Sequence, residues 1–147
     1  MKTFLLTKTG KRRMLRSMMR SSQSRGIPRR KLGQLGEHVA ADYLESQGYV
    51  ILARNWRCPV GEIDLVAQDG EALVFVEVRA RRGDRFGTPE ESITRDKQAR
   101  LLELAQAYLQ EARLGDQDWR IDVVAIEMDG RGRIKRLNLL RNAIWGQ

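Results

Sequence analysis

Two runs, Glu62 to Gln68 and Glu71 to Ala80, flank the dipeptide Asp69-Gly70, which suits a two-residue β-hairpin turn better than almost any other pair. No other stretch constrains the fold as much. With the turn on Asp69 and Gly70, Gln68 faces Glu71, which sets Asp64 opposite Phe75 and Glu62 opposite Glu77. One hairpin face is then Ile63, Leu65, Ala67, Ala72, Val74, Val76 and Val78, wholly apolar. The other carries Val66, Leu73 and Phe75 near the turn, and Glu62, Asp64, Glu77 and Arg79 away from it. Apolar side chains on both faces need cover on both, so the hairpin belongs in a sheet with helices packed on its faces.

The flanking sequence supplies those helices. Leu35, Val39, Ala40, Tyr43 and Leu44 recur at helical spacing before Gly48, which predicts a helix over 33–47. Tyr49 to Trp56 reads as a strand, broken from the hairpin by Pro59 and Gly61. Thr88-Pro89-Glu90-Glu91 is a helix start that pauses near Thr94. The stripe of Gln98, Leu101, Leu102, Ala105, Tyr108, Leu109 and Ala112 carries a helix to about Gly115. Trp119 to Glu127 is a further strand, and Ile134 to Leu140 a last edge strand. The expected architecture is α/β, a mixed central sheet flanked by helices in the order αβββαβ.

A single cysteine, Cys58, and a single histidine, His38, leave no intramolecular disulfide and no histidine- or cysteine-rich metal cluster. His38 falls on the polar side of its helix. Any catalysis must therefore run on carboxylates. Apolar runs are too short for a membrane span or a signal-peptide core, which makes the cytoplasm the expected location. Of the 27 Lys and Arg residues, 11 lie in residues 1–31, which hold no acid, while the rest of the chain carries 16 against all 19 acidic residues. Residues 1–31 thus read as a basic, poorly ordered tail on one domain over 32–147. Such a polycation favours phosphate backbones through counterion release.

The acids of the hairpin are the chemical signal. In the expected register Asp64 and Glu77 are diagonal neighbours, roughly 7–8 Å apart at Cα. Carboxylates crowded to ~4 Å repel by about 1 kcal/mol in water and about 4 at an effective dielectric of 20, so acids on a covered face need compensation. A hard divalent cation provides it, and oxygen ligands suit magnesium or manganese. Glu37, at the border of the first helix's apolar face, is able to reach the sheet, and Gln98 interrupts the apolar stripe of the long helix.

These residues fall in blocks that carry a resemblance: G-E-I-D-L-V at 61–66, L-V-F-V-E-V-R-A-R at 73–81, L-G-E-H-V-A-A-D-Y-L at 35–44 and R-N-W-R-C at 54–58. Over about residues 33–140 the chain resembles the bacterial YraN-type family, which in turn resembles Holliday junction resolvases and other PD-(D/E)XK endonucleases. The resemblance implies a restriction-endonuclease-like core, with Asp64 at the first acidic position of the motif and Glu77 at the second. It matches Glu37 to the extra helical acid of the resolvase-like branch and leaves Glu62 as a ligand or a ligand's support. More loosely, Gln98 and Tyr108 match polar positions on the helix after the hairpin. One position departs from the pattern: the motif ends in E-V-K in most such nucleases and here reads Glu77-Val78-Arg79. Arginine has no accessible neutral form, so Arg79 suits phosphate binding rather than proton abstraction.

The expected function is a magnesium- or manganese-dependent endonuclease on structured or single-stranded DNA. Asp64, Glu77 and Glu37 hold the ion, Arg79 binds the scissile phosphate, and Arg81, Arg82 and Arg85 grip the flanking backbone. DNA is favoured over RNA as partner, and a homodimer is common among resolvase-like relatives. The alternatives are a nucleic-acid-binding module with the nuclease scaffold but little cleavage, and a protein-interaction adaptor.

Overall fold

The structure is a computed structural model that describes residues 27–83 and 87–144. Residues 1–26 of the basic segment, and Arg85, lie outside the described residues. Helix α1 (Arg29–Ser46) leads into β1 (Val50–Cys58), β2 (Gly61–Asp69) and β3 (Ala72–Arg82). A single 3-10 turn (Glu90–Ser92) then precedes α2 (Arg95–Glu111), β4 (Trp119–Met128) and β5 (Ile134–Leu140). The strands form one sheet in the order β1-β2-β3-β4-β5, antiparallel throughout except for the parallel pair β3–β4 that α2 connects. This is the mixed, helix-flanked α/β sheet expected from the sequence.

Helix α1 starts four residues earlier than its apolar spacing predicts, because Ile27 and Leu32 also pack on the core and so reward an extra turn. It ends at Gly48, whose φ of +93° is the left-handed stop anticipated there. The helix covers one sheet face, where Leu35, Val39, Ala40 and Leu44 meet Leu65, Ala67, Val74, Val76, Val124 and Ile126. Helix α2 covers the other, packing Leu101, Leu104, Ala105 and Leu109 on Val66, Leu73, Phe75 and Ile121. Thr94 caps α2 by accepting from the Lys97 amide at 3.2 Å, which is the pause the sequence signals at that residue.

The hairpin register differs from expectation by two residues. Asp69 pairs with Ala72, Gln68 with Leu73 and Val66 with Phe75. The turn residues are Gly70 and Glu71, with positive φ at Gly70 alone, an option open to a glycine in the first turn position. A shift of two keeps Val66, Leu73 and Phe75 on one face and Leu65, Ala67, Val74 and Val76 on the other. It changes which acids oppose each other.

Two close approaches fix the layers. A Cβ at Gly36 would lie 2.9 Å from that of Ala80, so α1 touches β3 through a glycine. Gly36→Ala is therefore expected to destabilise by about 1–2 kcal/mol despite its better helix propensity, because overpacking outweighs the propensity gain. Urea unfolding of the two proteins measures this; an unchanged or higher midpoint would show that the helix can ride outward without cost. On the same face the fully buried Asp122 accepts from Tyr49 Oη (2.9 Å), Arg120 Nε (3.0 Å) and the Asn142 amide (2.9 Å). Arg120 Nη2 continues the network to Asp69 Oδ2 at 2.7 Å. No helix among the described residues is long and apolar enough to cross a membrane.

Candidate metal centre

At the end of the hairpin away from its turn, β2 and β3 part. Their pairing runs from Asp69↔Ala72 to Leu65↔Val76, and at the next residue the Asp64 side chain takes over: its Oδ2 accepts from the Val78 amide at 2.8 Å. A side-chain carboxylate thus replaces a main-chain partner, and β2 turns over. Ile63, expected to share a face with Leu65, packs instead with Val66 and Leu104 under α2. Strict alternation along β2 could not anticipate this, because it holds only while the backbone stays regular, and here β2 leaves its ladder with β3 while remaining paired with β1.

The turnover brings Glu62 and Asp64 to Glu37 of α1, and one carboxylate oxygen from each of the three lies within 4.8 Å of the others. Burial, then the charge of Asp64, pushes the Glu37 carboxyl up to about 7. Burial, then the charge of Glu77, pushes Asp64 up to about 7 against the lowering effect of the Val78 amide. Each anion is thus raised in energy by its surroundings, which a proton or a cation relieves. Three carboxylates with no histidine or cysteine among them fit a hard divalent ion such as magnesium or manganese.

Glu77 is buried at 3% exposure and approaches Asp64 from β3. The group of converging oxygens is therefore Glu37, Glu62 and Asp64, while Glu77 Oε1 faces Lys97 Nζ at 3.2 Å and Arg79 Nε at 3.7 Å. Arg79 is held away from full pairing: its Nη2 donates to the Ser92 carbonyl at 3.2 Å, and its buried Nε has no hydrogen-bond partner. Arg81 is half-buried and Arg82 exposed at the end of β3. Gln98 turns back on its own helix start, donating to the Ile93 carbonyl at 3.4 Å. Tyr108 packs its ring edge-on against Trp56 and Phe75, at centroid distances of 5.1 and 5.4 Å, as part of the α2 core.

Comparison with known proteins places this sequence in a family. The uncharacterised protein family UPF0102 matches residues 36–126. The chain belongs to that family. Its relatives include a UPF0102 protein of Pelotomaculum thermopropionicum, 50% identical over 115 residues that make up 78% of this chain and 96% of the relative. A UPF0102 protein of Symbiobacterium thermophilum is 53% identical over 116 residues, again 78% and 96% of the two chains. One from Chloroflexus aurantiacus is 54% identical over 108 residues, 73% and 87% of the two. The UPF0102 segment begins one residue before Glu37 and contains every acid of the cluster.

Sequence reasoning missed two residues that reach the site, Asn55 and Lys97, of which Lys97 left a signal. A lysine in the first turn of α2 sits against the positive end of the helix dipole, where acids are favoured. The buried Glu77 offsets that penalty. Asn55, in the R-N-W-R-C block, reaches the cluster from β1, with its amide against Glu37 and Glu62.

Proposed function

We propose that this UPF0102 protein is a magnesium- or manganese-dependent nuclease acting on the phosphodiester backbone of structured or single-stranded DNA in the cytoplasm. The observation that carries the reading is the convergence of Glu37, Glu62 and Asp64 where the hairpin opens, with Glu77, Lys97 and Arg79 alongside. Glu37, Glu62 and Asp64 would hold the ion, which when bound supplies Lewis-acid stabilisation of charge developing on a phosphate. Glu77, buried between Asp64 and two cations, fixes where those cations stand. Lys97, with its ammonium on Glu77, can donate to a phosphate oxygen or orient a water. Arg79, Arg81 and Arg82 sit on one strand leading away from the acids, an arrangement suited to following a backbone, with Arg85 and the basic segment as further contacts. Gln98 supports the start of α2 from which Lys97 projects. A second copy of the chain would pair two such sites for a branched substrate.

A specific observation favours a second reading, a binding module with little cleavage: the motif lysine is replaced by Arg79, whose guanidinium is partly engaged by Ser92. Magnesium-dependent nicking of labelled branched, single-stranded and duplex DNA decides between them. Wild type is expected to nick, and Asp64→Asn and Glu77→Ala to lose at least about 100-fold in rate while binding in calcium persists, because binding and chemistry draw on different residues. Arg79→Lys is expected to cut faster than wild type. Inert wild type and inert Arg79→Lys that still bind DNA would establish the binding module. Absence of both metal and DNA binding would leave the protein-interaction adaptor.

A further inference from the structure

Asn55 lies within β1, between Arg54, which pairs with Leu65, and Trp56, which pairs with Ile63. That places it across from Asp64. Its φ is +51°, a left-handed conformation in the middle of a strand that non-glycine residues seldom adopt, although asparagine tolerates it better than most. The two carboxylates only accept, which orients the amide with Nδ2 rather than Oδ1 toward them, and in that orientation Nδ2 donates to Glu62 Oε1 at 2.5 Å and to Glu37 Oε2 at 2.9 Å. One amide thus bridges two acids that come from different elements, α1 and β2.

Both of the amide's N–H donors are used on the cluster, and each carboxylate oxygen keeps lone pairs for another partner. Glu62 also meets Arg57 through Oε2 at 3.2 Å, but Arg57 is 78% exposed, so that pair holds the carboxylate weakly. The firm link between the helix acid and the strand acid is Asn55. Without it the mutual repulsion of Glu37 and Glu62 favours their side chains swinging apart.

We infer that Asn55 is a positioning residue of the metal centre: its left-handed backbone aims the amide so that Glu37 and Glu62 stay together with their remaining lone pairs open to a cation. The inference rests on the proposed metal-dependent function and names how that site is preorganised. Hydrogen-bond partners of metal-ligating carboxylates typically change affinity by about 10- to 100-fold when lost.

The test uses the full chain and manganese alone as the probe. Asn55→Gly removes the amide but suits the positive φ, so the fold should be kept and the thermal midpoint should be unchanged or higher. Manganese affinity, followed by isothermal titration calorimetry, is expected to fall by about 10-fold or more relative to wild type. A merely structural role would move the midpoint and leave the affinity alone. Unchanged manganese affinity in Asn55→Gly, with wild type binding normally, would overturn the role of Asn55 and leave the metal centre standing. Wild type that does not bind manganese would overturn the metal centre and this role together.

Discussion

Asp64→Asn is expected to make the metal-free protein more stable above pH 7, by about 2 kcal/mol as an order of magnitude. Asn keeps an oxygen to accept from the Val78 amide but removes the charge that burial and Glu77 raise in energy. The sign follows from proton uptake. The ordinary pKa of Asp64 is 3.8 and the folded value is about 7, so between those values the folded state binds more protons than the unfolded one. Wild-type stability should therefore decline as pH rises from about 4 to about 7 and level off above, with Glu37 adding to the same slope in a solvent-screened and smaller measure. The gap between variant and wild type should open across that window. Manganese reverses the order: at 100 times its Kd a ligand adds about 2.7 kcal/mol to the state that binds it, and only wild type should gain. Urea melts in EDTA and in manganese, at pH 5 and pH 8, test all of this. A variant less stable than wild type in EDTA at pH 8 would mean that Asp64 is present to serve Val78 alone.

The second large effect lies away from the acids. Asp122→Ala is expected to cost about 3–5 kcal/mol, enough to unfold much of the protein at 37 °C. The substitution leaves Arg120, Tyr49 Oη and the Asn142 amide without the acceptor they share in the interior. Asp122→Asn should recover part of the loss, since one oxygen remains to accept. Chemical denaturation distinguishes the three proteins; a cost under about 1 kcal/mol for the alanine variant would show that water replaces the carboxylate freely.

Much of the fold was legible because its signals are local. Thr94 as the pause before the long helix, Gly48 as the stop of the first and the doubly apolar hairpin are each written in a few neighbouring residues. The site was legible only in part. Glu37, Glu62 and Asp64 could be nominated from helical and strand periodicity, but their convergence depends on β2 parting from β3 at Asp64 while it stays paired with β1, an event no periodicity encodes. The two-residue register error has a similar origin: Asp69-Gly70 and Gly70-Glu71 are both acceptable turns, and pairing along the whole strand decides between them. Lys97 was missed because it reaches Glu77 from α2, across a connecting loop, and Asn55 because its reach to the acids depends on a left-handed backbone inside β1.

The single parallel pairing in the sheet has a consequence for how the molecule is made. Strands β1 to β3 form a meander with short connections, whereas β4 can join β3 only after the α2 crossover has been built. Contacts between near neighbours in sequence form faster than those that close long loops. All the residues of the acidic centre lie between Glu37 and Lys97, upstream of β4 at Trp119. On a ribosome they emerge before β4, and until it arrives the inner edge of β3, with its run Leu73-Val74-Phe75-Val76, is an unpaired strand able to recruit another chain. The hazard in making this protein is thus timing: the apolar strand at its centre waits for a partner whose synthesis begins nearly forty residues after its own end, as the span from Arg82 to Trp119 sets.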